Sequence, residues 1–133
     1  MSQTVSVTFK QINQSASQAD VRGHKVVSDR PEAKGGGNHG PMGGELLLSG
    51  QAGCFMSNLL AAARAREVVL RDAAVTVTGT VTDTPPRFEA IEVTVSAGGV
   101  DAQMLKKLVT IAERGCLVAN TLKAAVDLTI AIQ

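Results

Sequence analysis

The sequence predicts an α+β fold in a single domain over residues 1–133. Three observations carry this prediction: a strand-like first segment, two helix-like stretches with different apolar patterns, and a strand hairpin between them. This order of strands, helix, hairpin, helix and strand differs from the regular strand–helix alternation of a parallel α/β fold. A chain of 133 residues also fits one domain, and the sequence contains neither an internal repeat nor a domain boundary.

The first part of the chain predicts short strands followed by a loop. Residues 5–9 alternate apolar and polar side chains, which is typical of a half-buried strand. Further strands are predicted at residues 16–21 and 24–28. Residues 31–44 hold six glycines and two prolines, a composition that predicts a loop.

Residues 45–66 predict a long helix that is apolar almost all round. The segment is rich in Leu and Ala, and its polar residues do not form a wide face. A helix of this kind is normally buried, yet a chain of 133 residues can scarcely cover it alone. The sequence therefore predicts a homodimer in which a second copy of the chain covers part of this helix.

The second half of the chain predicts a hairpin, a helix and a last strand. Residues 73–83 and 88–97 show the period-2 pattern of strands on either side of two prolines, which predicts a β-hairpin. Asp101 is placed to cap a helix whose apolar residues recur at helical spacing. A glycine interrupts this helix before residues 116–124 resume it, and residues 126–132 close the chain as a strand.

Composition and charge argue against two broad classes of function. Thirteen basic and twelve acidic residues leave a net charge of +1, and 2% of the residues are aromatic. The chain therefore lacks the basic surface and the base-stacking rings of nucleic-acid-binding proteins. No apolar run of about 18 residues is free of polar interruptions, so we predict no membrane segment. The first residues match no export signal, which predicts a cytoplasmic protein.

The glycine-rich loop does not predict a nucleotide site. Residues 35–40 match G-x-G-x-x-G, but a dinucleotide site also needs an acidic residue about 20 positions later. No acidic residue lies between Glu45 and Glu67, and no Lys-Ser or Lys-Thr pair follows the glycines. We therefore expect no bound cofactor and interpret the loop as a flexible connection.

A metal site would have to combine His24, His39, Cys54 and Cys116. Structural zinc sites supply their ligands in close sequence pairs such as C-x2-C. No two of these four residues are close neighbours in sequence. The sequence therefore predicts no metal site and two exposed, single histidines.

The two cysteines are the remaining candidates for chemistry. Cys54 and Cys116 each follow a glycine at or near the start of a helical stretch, and they would meet if the two helices pack together. Free cysteine is also among the most buried residue types, so two small core residues are the plain alternative. The spacing alone does not decide between these interpretations.

Two segments resemble the OsmC/Ohr superfamily, the osmotically inducible protein C and organic hydroperoxide resistance proteins. The first runs from GHKVVSDRPE at residues 23–32 through the glycine-rich loop to GP, ELLL and AGC; the second is AERGCLV at residues 112–118, followed by Leu122. The likeness covers about residues 20–132 in order and spacing. It implies an OsmC-like fold with antiparallel sheets packed around two central helices in an intertwined homodimer.

The resemblance also implies a thiol peroxidase that reduces organic hydroperoxides. In that chemistry Cys54 attacks the peroxide as a thiolate and becomes a sulfenic acid, which Cys116 then converts to a disulfide. An external dithiol of the lipoyl type would restore both thiols. The neighbours of Cys54 in the helix are apolar, so the hydroperoxide is expected to be hydrophobic.

Members of the family activate the first cysteine with an arginine that is held by a glutamate. In this chain Arg30 is the better placed match, Arg22 is the second, and Glu45 is the acidic residue near the helix start. The hydroperoxide-resistance branch has its glutamate one position earlier, where this chain has Gly44. In a continuous helix Glu45 and Cys54 would lie on opposite faces. Glu45 would then reach the site only from the preceding turn, and its alternative role is a favourable charge at the helix N-terminus.

Two other functions stay open at this point. The same apolar dimer cleft would suit a non-catalytic binding protein for an acyl chain or another hydrophobic small molecule, with incidental thiols. A plain structural dimer is the third possibility.

Leu117 is a further departure of this chain from the family pattern, because the family commonly has proline after the second cysteine.

Overall fold

The computed structural model describes residues 2–133 and confirms the α+β class. Its strands are Phe9–Gln11 (β1), Ser17–Val21 (β2), His24–Ser28 (β3), Arg71–Asp83 (β4), Pro86–Gly98 (β5) and Asp127–Ile132 (β6). Its helices are Gly43–Ala65 (α1), Ala102–Gly115 (α2) and Leu117–Lys123 (α3), with a 3-10 turn at Glu32–Lys34. The chain divides into two compact units, up to Leu47 and from Leu48 onward. The prediction of one domain over residues 1–133 stays a prediction.

The first unit contains an antiparallel sheet whose first strand is shorter than predicted. Phe9 pairs with Ala19, and β2 ends two residues later at Val21. Residues 2–8 lie outside any strand, although β2 continues past the last paired position to Val21. Val5 is 89% exposed. Val7 is 53% exposed as well, so the alternating apolar side chains of residues 5–9 have no core to pack against, and the predicted strand is reduced to its last residue, Phe9.

The strands predicted at residues 16–21 and 24–28 are confirmed as β2 and β3, which form an antiparallel hairpin. Its turn consists of Arg22 and Gly23, which have φ angles of 53° and 87°. Positive φ at both central positions matches the twist of a tight hairpin, and glycine adopts it without steric cost. The Asp20 carboxylate also accepts a hydrogen bond from the Gly23 backbone N–H at 2.7 Å.

The sheet of the second unit is mixed, which corrects the expectation of antiparallel sheets. β4 and β5 form the predicted antiparallel hairpin, with Val77 opposite Val93. In contrast, β6 runs parallel to β5, with Ile91 opposite Leu128. Between β5 and β6 the chain passes through α2 and α3, and a parallel pair requires a crossover connection of this kind.

The core of the second unit combines side chains from all three helices and from β5. Its largest members include Phe55 and Leu59 of α1, Leu108 of α2, and Val93 and Val95 of β5. Buried and more exposed residues alternate along β5, so one face of the strand packs into the core. The predicted cap of α2 is confirmed, because the Asp101 side chain accepts a hydrogen bond from the Met104 backbone N–H.

The long apolar helix α1 is confirmed, but this chain buries only part of its surface. Phe55 and Leu59 are fully buried, whereas Leu47 and Leu60 are 43% and 45% exposed. Among the described residues α1 is also the one helix long and apolar enough to cross a membrane. Core helices of soluble proteins meet the same criterion, and Phe55 and Leu59 pack into a protein core. The exposed leucines are the surface that the predicted homodimer would cover.

Candidate active site

The structure brings the two cysteine side chains together in the second unit. Cys54 lies on α1 and is half-buried, whereas Cys116 lies between α2 and α3 and is fully buried. Both are free thiols; Cys54 packs against the core cluster that contains Cys116, close enough to raise the pKa of the Cys116 thiol. Two cysteines that lie far apart in sequence are therefore neighbours in space, one accessible and one enclosed.

Cys116 is positioned by the break between α2 and α3. It forms the N-cap of α3, and its Sγ accepts a hydrogen bond from the Ala119 backbone N–H at 3.5 Å. The preceding residue, Gly115, packs closely against α1, since a Cβ there would lie 3.0 Å from Oδ1 of Asn58. The glycine that interrupts the predicted helix therefore lets the Cys116 segment approach α1.

Burial raises the pKa of the Cys116 thiol. The Ala119 backbone N–H and the Gln51 amide act in the opposite sense, whereas the neighbouring Cys54 side chain raises the pKa further. The net effect keeps Cys116 neutral in the reduced protein. A neutral, enclosed thiol is a poor first nucleophile, and it can act on a group formed at its neighbour.

Asn58 lies one helical turn after Cys54 and contacts it through the side-chain amide. Its Nδ2 donates a hydrogen bond to the Cys54 carbonyl oxygen at 2.8 Å and lies 3.9 Å from the Cys54 sulfur. The first contact fixes the amide, and the second directs a weak N–H donor toward the thiol. Asn58 was not among the site residues predicted from the sequence.

Gln51 is a second polar residue of α1 at the site, and it was not predicted from the sequence. It is fully buried, and its Nε2 donates a hydrogen bond to the Cys116 sulfur at 3.6 Å. Its Oε1 is buried and has no hydrogen-bond partner among the described residues. Leaving a buried acceptor unpaired costs about 1–3 kcal/mol. The signal in the sequence was a long amide side chain three positions before Cys54 in a largely apolar helix.

In the first unit, the carboxylate of Asp29 holds the glycine-rich loop. Asp29 is 3% exposed and accepts hydrogen bonds from the backbone N–H groups of Arg30, Gly37 and His39. The Nδ1 atom of His39 lies 2.9 Å from the same carboxylate. The hydrogen bond from the His39 ring is the main cause that holds the pKa of Asp29 well below its usual range, although burial opposes it. The expectation of a flexible connection is therefore corrected.

Arg30 has a fixed backbone and an exposed side chain. Its N–H donates to Asp29 at 2.7 Å, and its carbonyl oxygen accepts from the Asn38 backbone N–H at 2.9 Å. A Cβ at Gly36 would lie 2.0 Å from the Arg30 carbonyl oxygen, so glycine is required at this close approach. Arg30 belongs to the first unit and Cys54 to the second, and the role of Arg30 as the activating cation stays a prediction.

Arg22, the second candidate cation, occupies the tight turn before β3, whereas Arg30 follows the end of β3. The two arginines therefore lie at opposite ends of the same strand. Both side chains are exposed. Their different positions make them a matched pair for substitution.

Glu45 lies in the first turn of α1 and not in the segment before it. Its Oε1 accepts a hydrogen bond from the Met42 backbone N–H at 2.8 Å. A glutamate in the first turn makes this contact in a capping box, and its charge suits the positive end of the helix dipole. Because α1 is continuous from Gly43, the condition under which Glu45 was expected to reach Cys54 is not met. The contact with Met42 supports the alternative role at the helix N-terminus.

Among residues 2–133, no three His, Cys, Asp or Glu side chains are grouped so that they could hold a metal ion. His24 is exposed in β3, and His39 is bound to Asp29. The loop amides of Gly37 and His39, which a phosphate would require, already donate to a carboxylate. These contacts give the glycine-rich loop a structural role.

This chain matches one protein family and is similar to several solved structures. A family model described as OsmC-like protein matches residues 35–131. A search of the curated proteins finds no match. Among solved structures, an OsmC-like protein from Mycoplasma pneumoniae is similar with a TM-score of 0.83 at 20% identity, covering 100% of this chain and 96% of that chain.

Two further similar structures carry more specific names. An organic hydroperoxide resistance protein OsmC from Legionella pneumophila has a TM-score of 0.74 at 20% identity and covers 99% of both chains. An organic hydroperoxide resistance protein from Elizabethkingia anophelis has a TM-score of 0.73 at 18% identity, covering 100% of this chain and 99% of that chain. At these identities the likeness shows the fold.

Proposed function

This chain belongs to the OsmC-like protein family, and we propose that it is a cysteine-based peroxidase that reduces organic hydroperoxides. The observation that carries the proposal is the proximity of the half-buried Cys54 and the fully buried Cys116 in one packed cluster. An accessible thiol beside an enclosed one suits a two-step cycle, in which the first meets the oxidant and the second traps the product. The names of the Legionella and Elizabethkingia proteins favour organic hydroperoxides as substrates.

In the first step the Cys54 thiolate attacks an oxygen of the hydroperoxide. An S–O bond forms as the O–O bond breaks, and the departing alkoxide takes up a proton and leaves as an alcohol. The Cys54 sulfur is thereby oxidised to a sulfenic acid. Arg30 is the proposed cation that favours the thiolate of Cys54.

In the second step the Cys116 sulfur attacks the sulfenic sulfur of Cys54. An S–S bond forms, the S–O bond breaks, and the hydroxide leaves as water. An external dithiol of the lipoyl type then reduces the disulfide by thiol–disulfide exchange and is itself oxidised to a disulfide. A reducing compartment preserves such thiols between cycles, so we place the protein in the cytoplasm.

The proposed active form is a homodimer. The exposed leucines of α1 are supporting observations, because exposed large apolar side chains on a core helix suit a subunit interface. A dimer cleft lined in this way also favours a hydrophobic substrate. Sedimentation velocity at micromolar concentration is expected to give the mass of two chains, and a stable monomer under those conditions would contradict the dimer.

One equivalent of cumene hydroperoxide is expected to consume both thiols and to yield one intramolecular Cys54–Cys116 disulfide. Tandem mass spectrometry of the non-reduced peptides identifies the linked pair, and free-thiol titration gives the stoichiometry. A lipoyl-type dithiol should restore both thiols. If the thiols stay reduced while excess peroxide persists, the non-catalytic binding of a hydrophobic small molecule becomes the better function.

A further inference from the structure

The side-chain amide of Gln51 contacts the buried cysteine of the proposed cycle. Gln51 precedes Cys54 by three residues on α1, so their side chains are neighbours on one face of the helix. Its Nε2 donates to the Cys116 sulfur at 3.6 Å. Its Oε1 is buried without a hydrogen-bond partner among the described residues. The amide thus contacts one reacting sulfur and has an unused acceptor.

We propose that Gln51 promotes disulfide formation by donating to the Cys116 sulfur and accepting a hydrogen bond from the sulfenic acid hydroxyl on Cys54. The inference rests on the proposed peroxidase function and assigns a residue to its second step. In that step Cys116 is oxidised and the sulfenic sulfur is reduced to the disulfide level. The S–S bond forms as the S–O bond breaks, and the proton of the Cys116 thiol leaves with the hydroxide as water.

The two ends of the amide have different tasks in this step. An N–H directed at the Cys116 sulfur favours its thiolate, which the buried environment otherwise disfavours. The carbonyl oxygen gains a strong O–H donor when Cys54 acquires a hydroxyl group. An acceptor that pairs with the sulfenic hydroxyl orients the S–O bond for in-line attack by the Cys116 sulfur, and positioning of this kind speeds the step. This pattern explains why a fully buried helix position carries a glutamine.

Gln51→Met tests the proposal, because methionine has a similar volume and shape but lacks both amide groups. With cumene hydroperoxide, the sulfenic acid should still form on Cys54, and its conversion to the disulfide should slow about tenfold or more. Dimedone trapping followed by mass spectrometry measures the sulfenic acid, and the loss of the Cys116 thiol measures disulfide formation. The thermal midpoint should equal or exceed that of the parent, since the substitution removes an unpaired buried acceptor.

Gln103→Met is the matched control, because Gln103 is exposed on α2. It should form the disulfide at the parent rate. Disulfide formation in Gln51→Met at the parent rate would overturn the proposal. A slower rate accompanied by a lowered thermal midpoint would overturn it as well, since that result indicates a structural role for Gln51.

Diamide separates a failure of this inference from a failure of the proposed function. This reagent oxidises a thiol pair to a disulfide without a sulfenic acid. If the parent protein does not react with hydroperoxide, the peroxidase proposal fails, and diamide still reports the effect of Gln51 on Cys116. Slower disulfide formation in Gln51→Met with diamide supports the contact with the Cys116 sulfur, and an unchanged rate overturns that part of the inference.

Discussion

Cys54→Ser is expected to abolish hydroperoxide consumption, with a loss of at least about a hundredfold in the initial rate. The serine hydroxyl is almost the size of the thiol but does not ionise near neutral pH, so it cannot attack the O–O bond. Cys54 is the more accessible thiol of the pair, since Cys116 is fully buried. Cumene hydroperoxide loss, measured with a ferrous–xylenol orange assay, gives the rate directly.

Cys116→Ser is the matched control, and it should separate the two steps of the cycle. The first equivalent of peroxide should still be consumed, because Cys54 remains. Without its partner thiol, the sulfenic acid should persist long enough for dimedone to trap it, and excess peroxide should carry it on to sulfinic acid. Peroxide consumption by Cys54→Ser at the parent rate would contradict the assignment of the first nucleophile.

The local elements of this fold could be predicted because their patterns depend on near neighbours in sequence. The long helix α1, the β4–β5 hairpin and the cap at Asp101 all follow from periodicity, turn residues and capping chemistry. The length of β1 and the direction of β6 depend on partners elsewhere in the chain. Residues 5–8 continue the alternating pattern of β1 but leave Val5 and Val7 exposed, and two helices between β5 and β6 permit the parallel pairing.

The candidate site shows the same division between local pattern and tertiary contact. Cys54 and Cys116 could be singled out by their residue type and by family resemblance, whereas their proximity depends on the packing of α1 against the α2–α3 break. Gln51 and Asn58 were not among the site residues predicted from the sequence. Their significance comes from what their amides face, which helical periodicity does not report.

Asp29 illustrates how a binding motif can serve a structural purpose. The glycines of the loop match a nucleotide-binding motif in the sequence, but in the structure the buried carboxylate of Asp29 holds the loop backbone. Three backbone N–H groups and an imidazole converge on it. A carboxylate in this setting has the role that a phosphate would have in a nucleotide site. It also fixes the backbone from which the Arg30 side chain extends.

Arg30→Ala is expected to slow hydroperoxide consumption by an order of magnitude or more. A cation close to a thiol lowers its pKa by about 1–3 units, and one unit alone changes the thiolate fraction about tenfold when the pH lies below the pKa. The rate of the first step at neutral pH, followed by stopped-flow mixing with cumene hydroperoxide, measures the effect. The fold should persist, because the contacts of Arg30 with Asp29 and Asn38 use backbone atoms that alanine retains.

Arg22→Ala removes the same charge at the other end of β3 and serves as the control. Its effect on the rate should be much smaller. Both variants lose one positive charge, but only Arg30 is proposed to act on Cys54 directly. Arg30→Lys should recover part of the lost rate if a positive charge suffices, and none if the planar guanidinium is needed. Equal rates for the parent and Arg30→Ala would exclude Arg30 as the activating cation. A large loss in Arg22→Ala alone would transfer the role to Arg22.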